Sequence, residues 1–233
     1  NAIILQKDEK KIISEAEEKD KSKDKSKSLF GLPIAVKDLS DVVGIETTYG
    51  FPGYKNNYPK QNSFFVDLLI KNGAIIIGKT NSAELGVGGH TINRLFGPTS
   101  NVYDLKKSAA GSSGGASTAV AAGLLPFADG TDQMGSCRGP AAYSNTYGFR
   151  PTPGLIASSR VGHNSKLPLL TTPGCFSKNP EDMSLMLDVI VGKNSLDPYS
   201  FNLDGRFKEA FFKDKDISNI KIGWLSNMNN KYN

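Results

Sequence analysis

Short apolar runs alternate with helix-periodic segments along most of the chain. After Pro33, the sequence LPIAVKD holds a short continuous apolar run, which predicts a buried strand that ends at Lys37. Residues 63–81 carry apolar side chains at helical spacing as far as residues 72–73, and the following run AIII predicts a second buried strand. This part of the chain is therefore predicted to form a strand, a helix and another strand.

The same alternation recurs further along the chain. In residues 116–130 a helix of small residues is predicted as far as Gly123, followed by an apolar strand that ends at Ala128. Residues 179–192 predict another helix, with a proline near its start and acidic residues in its first turn. Residues 219–226, NIKIGWLS, predict a further strand. Helices that alternate with short buried strands are typical of an α/β fold, here with a mixed, largely parallel twisted sheet covered by helices.

The densest run of charged residues lies near the start of the chain. Residues 7–27 hold eight lysines and seven acidic residues, so this segment is nearly neutral although the chain as a whole carries +5. Glu and Lys one helical turn apart predict a solvated helix in its first half, and residues 20–28 then predict a polar linker. Nucleic-acid binding needs an excess of cations facing phosphate, so we expect no nucleic-acid partner.

Composition is that of an ordinary globular protein, with 38% hydrophobic and 22% charged residues. The 233 residues suffice for a sizeable core and show no internal repeat, so we expect one domain over residues 1–233. No apolar run reaches the roughly 18 residues of a membrane span. The two cysteines, Cys137 and Cys175, match neither a disulfide framework nor a zinc site, which favours a cytoplasmic protein. Because the first methionine is Met134, we expect a fragment that has lost its natural start.

Two motif matches point to chemistry that the surrounding sequence does not favour. GAIIIGKT (73–80) satisfies the P-loop pattern, but its three consecutive isoleucines favour a buried strand over a loop that curls around phosphate. GSSGG (111–115) satisfies the nucleophile-elbow pattern, with Ser113 as nucleophile and Asp132 and His163 downstream. An elbow follows a buried strand, whereas the preceding YDLKKSAA is short and polar. The elbow is therefore the weaker hypothesis for a hydrolase.

A third constellation combines Lys37 with two loops that contain serine. In AAGSSGGAS (109–117), glycines permit the positive φ and close backbone approach that a tight turn requires. Ser136 lies in a second loop of small residues before a predicted helix, where successive N–H groups can converge on an anionic oxygen. Lys37 ends a predicted strand, and we expect the two serine loops to meet it at the carboxyl edge of one sheet.

These segments resemble the amidase signature family. GSSGGASTAVAAGLLPFADGTDQMGSCRGPAA (111–142) is similar to the long Gly/Ser-rich signature of that family, and LPIAVKD (32–38) is similar to its lysine motif. Three further segments also resemble the family: GAIIIGKTN (73–81), FGPTSNVYD (96–104) and YGFRPTPG (147–154). The resemblance covers nearly the whole chain and implies the α/β/α fold of that family. Because the family domain extends further at both ends, the resemblance also implies that this chain is truncated at both ends.

The resemblance also implies a Ser–cis-Ser–Lys triad. Lys37 would be the base, Ser112 the bridging serine that follows a cis peptide bond at Gly111, and Ser136 the nucleophile. The spacing between the two serines fits the family pattern and selects Ser112 over Ser113. An oxyanion hole would be formed by the backbone N–H groups of Gln133, Met134, Gly135 and Ser136.

This triad requires Lys37 to be uncharged. An ordinary lysine has a pKa near 10.4, whereas an effective base needs about 7–8, a difference of roughly 4 kcal/mol that burial must supply. The apolar run before Lys37 suits burial, and Asp38 would point to the other face of the strand. Two residues depart from the family pattern. Met134 replaces a glycine and would be strained at positive φ, and Cys137 is expected to be a small buried hydrophobe.

The predicted function is hydrolysis of a carboxylic amide to a carboxylate and ammonia or an amine, through an acyl-enzyme on Ser136. One alternative is an amidotransferase subunit with glutaminase activity, of the Glu-tRNA(Gln) type, which would need partner subunits. Another is a catalytically inactive binding or scaffold protein of the same fold, which Met134 and the truncation motivate. The expected partner is a small-molecule amide, with no cofactor, metal or membrane, and a homodimer is left open.

Overall fold

The computed structural model describes residues 1–23, 25–158, 170–203, 206–211, 218–221 and 223. Its helices and strands follow one another as β1 (Ile3–Gln6), α1 (Glu9–Lys21), β2 (Pro33–Lys37), α2 (Phe64–Lys71), β3 (Ile75–Thr80), α3 (Gly114–Ala121), β4 (Phe127–Asp132), α4 (Arg138–Ser144), β5 (Tyr147–Phe149), β6 (Thr172–Ser177), α5 (Pro180–Ile190) and α6 (Phe207–Phe211). Helices and strands therefore alternate as the sequence predicts, and the mixed α/β class is confirmed.

The described strands form two three-stranded sheets, in the orders β1-β3-β2 and β4-β6-β5. β2 and β3 are parallel and are connected through α2, as a parallel crossover requires. The other three pairings are antiparallel, so the described sheets are mixed but less parallel than expected. The difference arises because β1 joins the edge of β3 in the opposite direction, and β6 runs between β4 and β5.

Both faces of β2 are buried, and its side chains alternate between two apolar clusters. Ile34 and Val36 pack into the larger cluster with residues of α2 and α5, whereas Ala35 packs into the smaller cluster with α3 and β4. Successive side chains on a strand point to opposite faces, so Lys37 continues the row of Ala35 toward the start of α3. This alternation explains how a lysine at the end of an apolar strand reaches the Gly/Ser loop. Cys137 is fully buried in the smaller cluster, as predicted.

Most element predictions agree with the structure. α2 ends at Lys71 and α5 begins at Pro180, and the segment that matches the P-loop pattern forms strand β3 rather than a loop. β4 is displaced from its prediction, because it continues through polar residues to Asp132 instead of ending at Ala128.

The remaining predictions concern the two ends of the chain. α1 provides the predicted solvated helix and buries none of its side chains, while the linker at 20–28 stays a prediction. Half of the predicted strand at 219–226 lies outside the described residues, and the described half, residues 219–221 and 223, has no strand conformation. Among the described helices, none has the length and apolar character needed to cross a membrane.

Candidate active site

Lys37 places a buried amine among three hydroxyl groups. Its side chain is completely buried, at 0% exposure. Its Nζ donates hydrogen bonds to Ser112 Oγ at 2.8 Å, Ser113 Oγ at 2.7 Å and Thr131 Oγ1 at 2.9 Å. The structure thus brings the predicted base and bridging serine together, but Ser113 lies equally near. Sequence reasoning did not identify Thr131 as a third contact.

The loop before α3 is held by main-chain contacts on both sides of Ser112. The Gly111–Ser112 peptide bond is cis, as the family resemblance implies. The Ser112 carbonyl accepts the Ala83 N–H at 3.0 Å, and the Ala110 carbonyl accepts the Thr91 N–H at 2.9 Å. A Cβ at position 111 would lie 2.7 Å from main-chain carbon of residue 90, so only glycine permits this close approach. The loop is therefore fixed by its backbone, which leaves the Ser112 and Ser113 hydroxyls to face Lys37.

Ser136 lies in the loop between β4 and α4, and Asp132 organises that loop. One Asp132 oxygen accepts the Gly135 N–H at 2.8 Å, and the other accepts the Cys137 N–H at 3.0 Å. The Arg138 guanidinium binds the same carboxylate through two nitrogens, at 3.1 and 3.0 Å. Burial alone would raise the pKa of Asp132, but the Arg138 charge and the backbone N–H donors hold it well below its ordinary range. A permanently ionised carboxylate thus sets the conformation of the loop that carries the predicted nucleophile.

The Ser136 hydroxyl is half-buried and makes no hydrogen bond with any described residue. Its predicted link to Ser112 therefore stays a prediction. It is five positions from Thr131, whose hydroxyl contacts the Lys37 amine, so the loop begins directly at the lysine site.

The four backbone N–H groups of the expected oxyanion hole are not equivalent in the structure. The Gly135 N–H is engaged by Asp132, which removes it from the expected set in this conformation. The N–H groups of Gln133, Met134 and Ser136 have no hydrogen-bond partner among the described residues. The left-handed position of the loop is Gly135, with φ of 110°, so the strain considered for Met134 does not arise. The Met134 side chain is 89% exposed and leaves the backbone of the loop unobstructed.

Burial determines the protonation of Lys37. It lowers the pKa of the amine from 10.5 to about 8, because removal from water disfavours the ammonium form. The negative charges of Asp129 and Asp132 act in the opposite direction and prevent a larger fall. At neutral pH a useful fraction of Lys37 is therefore uncharged and able to accept a proton.

Two buried charged residues near Lys37, Asp129 and Lys79, were not predicted as part of the site. The Asp129 carboxylate, 3% exposed, accepts the Lys37 main-chain N–H at 2.7 Å and the Ser40 hydroxyl at 3.1 Å. The buried Lys79 amine donates to the Ser40 carbonyl and to Thr47 Oγ1, the latter at 2.8 Å. The sequence signal was a charged residue just beyond each of two predicted strands, namely an aspartate after the apolar run of β4 and a lysine in GKT. Both are typical of buried charges that must be paired.

The elbow hypothesis is not favoured by this arrangement. The Asp132 carboxylate is occupied by Arg138 and three backbone N–H groups, so it does not orient an imidazole among the described residues. His163 lies outside the described residues. Ser113 immediately precedes α3, but the segment before it is a loop rather than a buried strand. Among the described residues, no group of three or more His, Cys, Asp or Glu could hold a metal ion.

The fold and site together define an α/β protein in which a buried lysine contacts the serine that follows a cis peptide bond. Comparison with known families agrees with this class. The family model described as Amidase matches residues 2–232, and the chain belongs to that family.

Three relatives illustrate the range of the family. The chain is 36% identical over 228 residues to the glutamyl-tRNA(Gln) amidotransferase A subunit of Saccharolobus solfataricus, covering 98% of this chain and 46% of that protein. It is 36% identical over 232 residues to an acylamidase of Rhodococcus erythropolis, covering 98% and 48%. The crystal structure of a bacterial aryl acylamidase of the amidase signature family superposes with a TM-score of 0.82 at 30% identity, covering 89% of this chain and 44% of that one. The chain thus spans slightly less than half the length of the relatives that it matches.

Proposed function

We propose that the protein hydrolyses carboxylic amides, with Ser136 as nucleophile and the Lys37 amine as base acting through Ser112. The observation that carries this proposal is the buried Lys37 Nζ at 2.8 Å from Ser112 Oγ. A lysine beside a hydroxyl, with a pKa lowered to about 8, has the basicity that general-base catalysis requires near neutral pH. No histidine is needed in this scheme.

The reaction follows from the order of the three side chains. Neutral Lys37 takes a proton from the Ser112 hydroxyl, which takes one from Ser136, and Ser136 Oγ attacks the amide carbonyl carbon. The negative oxygen that forms is stabilised by the unpartnered backbone N–H groups of Gln133, Met134 and Ser136.

The protons then return along the same path to the amide nitrogen. The C–N bond breaks and ammonia or an amine leaves, while the acyl group remains on Ser136. Water, activated by the same base, attacks this ester and releases the carboxylate, which restores the free hydroxyl.

The direct test combines turnover with labelling of the nucleophile. The purified chain is incubated with a panel of aliphatic and aromatic primary amides, and ammonia release is measured. A fluorophosphonate probe is added separately, and the modified residue is located by mass spectrometry. We expect labelling at Ser136, and a loss of activity by about three orders of magnitude in Ser136→Ala and Lys37→Ala.

His90→Ala is the matched control, because this exposed imidazole hydrogen-bonds only to the Ser108 hydroxyl among the described residues. It should label and turn over as the unaltered chain does. Loss of activity in His163→Ala with retention in Lys37→Ala would instead support the elbow hypothesis. A correctly folded chain that neither labels nor turns over any amide would support a binding or scaffold role.

A second candidate function is that of an amidotransferase subunit with glutaminase activity. The observation in its favour is the similarity to amidotransferase A subunits, at 36% identity over nearly the whole chain. Ammonia release from glutamine alone, appearing only when partner subunits are added, would identify the amidotransferase. Release from apolar amides without partners would identify the amidase.

A further inference from the structure

Asp129 connects strand β4 to the residue that carries the proposed base. Its Oδ1 accepts the main-chain N–H of Lys37 at 2.7 Å, and its Oδ2 accepts the Ser40 hydroxyl at 3.1 Å. Both contacts are buried, and both fall on the segment where β2 ends and the following turn begins. One carboxylate therefore holds the strand end and the turn in a fixed relation.

The Asp129 carboxylate accepts a hydrogen bond at the edge of β2 where, in a continuous sheet, a neighbouring strand would do so. β2 pairs with β3 along one edge and lies beside β4 along the other, but no ladder joins β2 to β4 among the described strands. An N–H group at an unpaired buried edge must find an acceptor, and here Asp129 supplies it in place of a main-chain carbonyl. Thr131, two residues further along β4 and on the same side of the strand, contacts the Lys37 amine. β4 thus holds Lys37 at both its main chain and its side-chain terminus.

Retaining a charge in this position has a physical cost. Burial raises the pKa of Asp129, while the Lys37 N–H, the Ser40 hydroxyl and the positive charges of Lys37 and Lys79 lower it. A neutral amide side chain would accept the same N–H without the desolvation of a carboxylate. The carboxylate therefore supplies something that the contact alone does not require, namely a negative charge near the Lys37 amine.

We propose that Asp129 is a positioning residue for Lys37, which fixes the end of β2 through its carboxylate and stabilises the ammonium form of the base. The inference rests on the proposed function of Lys37. The inference predicts that the two roles of Asp129 can be tested separately. Asparagine at position 129 keeps an acceptor for the Lys37 N–H but removes the negative charge.

Charged groups other than Asp129 also act on the Lys37 amine and on Asp129 itself. The remaining charged or titratable groups that act on the Lys37 amine are Asp132 at the end of β4 and Cys137 before α4. Those that act on Asp129 are Lys37 and, from β3, Lys79. None of these is altered by a substitution at position 129, so a change in the pH dependence of the site reports the Asp129 charge.

The test measures the rate of Ser136 labelling by a fluorophosphonate as a function of pH, in the unaltered chain and in two variants. Labelling reports the base even when turnover is slow. Asp129→Asn should label within about three-fold of the unaltered rate above pH 9, with the midpoint of its pH profile shifted downward. Asp129→Ala should label at least about ten-fold more slowly at every pH, because the Lys37 N–H loses its acceptor. Circular dichroism and thermal melting of each variant establish that the labelled protein is folded.

Asp38→Asn is the matched control. Asp38 is also a buried carboxylate that accepts backbone N–H groups, from Thr48 at 2.9 Å and Gly50 at 3.2 Å, but it is not among the charges that act on the Lys37 amine. Its midpoint should not move. An unmoved midpoint in Asp129→Asn, an equal shift in Asp38→Asn, or an Asp129→Ala variant that labels at the unaltered rate would each overturn the inference. Failure of the unaltered chain to label at Ser136 would instead overturn the proposed function, and the inference with it.

Discussion

Replacement of Lys37 by methionine tests the energetic cost of the buried base. Methionine has a similar length and no charge, so it fills the same space while removing the titrating group. The pKa of Lys37 falls from 10.5 to about 8 because of burial, and each pKa unit corresponds to about 1.4 kcal/mol. Folding the unaltered chain therefore costs about 3 kcal/mol at neutral pH through this one group.

The sign of the pH dependence follows from proton binding. Between about pH 8 and 10.5, the unfolded chain holds a proton on Lys37 that the folded chain has already released. Stability of the unaltered protein consequently rises with pH across this window, as the cost of the buried charge disappears. Lys37→Met lacks this group and should not show the rise. Loss of three hydrogen bonds adds an offset of about 1 kcal/mol each, but this offset is the same at every pH.

The assay is urea unfolding, followed by circular dichroism, of both proteins between pH 7 and 10.5. The difference in free energy of unfolding between Lys37→Met and the unaltered chain should change by about 3 kcal/mol over this range, in favour of the unaltered chain as pH rises. Lys71→Met, which replaces an exposed lysine at the end of α2, is the control and should give a constant difference. A constant difference for Lys37→Met as well would refute the conclusion that Lys37 is held with a lowered pKa.

Three further predictions concern the pH dependence of the reaction and the packing of the two loops. The rate of Ser136 acylation should rise about ten-fold between pH 7 and 9. Over this range the uncharged fraction of a base with a pKa of about 8 grows from about one-tenth to about nine-tenths. Stopped-flow measurement of acylation tests this directly. Asp132→Asn should lower the free energy of unfolding by about 2 kcal/mol at pH 7. This deficit should shrink as pH falls below the ordinary carboxyl value of 3.8, because Asp132 of the unfolded unaltered chain is then protonated while the native carboxylate, with its lowered pKa, stays ionised. Urea unfolding at pH 3 and 7 checks this. Gly115→Ala should destabilise the fold by about 2 kcal/mol or more, because the added Cβ would lie 2.3 Å from the main chain of Asn81. A Cβ added at Gly139 would meet no atom within 4 Å, so Gly139→Ala should be neutral or stabilising. Thermal melting of both variants checks this.

Hydrophobic periodicity predicts the apolar elements of this fold well. The run IAV places β2 correctly, and helical spacing predicts α2 to within a residue or two, because each pattern reports a buried face directly. The end of β4 is missed because Asp129 and Asp132 have the composition of a turn. Their partners, a main-chain N–H 92 residues away and an arginine on the next helix, override that local preference.

Sequence reasoning finds the candidate site only in part, for a related reason. Lys37 and Ser112 are predicted from motifs and lie in contact. Thr131 is missed because it lies beyond the predicted end of β4, and only the observed continuation of that strand to Asp132 brings its hydroxyl to Lys37. The engagement of the Gly135 N–H depends on the rotamer of a neighbouring side chain, which no sequence pattern specifies.

The three hydroxyls around the Lys37 amine determine what its deprotonation entails. An ammonium group carries three N–H bonds, one for each of these oxygens, whereas a neutral amine carries two and a lone pair. When the proton leaves, one hydroxyl must rotate and point its own hydrogen at nitrogen, while the other two stay as they were. Deprotonation of Lys37 thus reverses the direction of one hydrogen bond and leaves the other two unchanged. The site therefore changes its protonation state with little movement of heavy atoms.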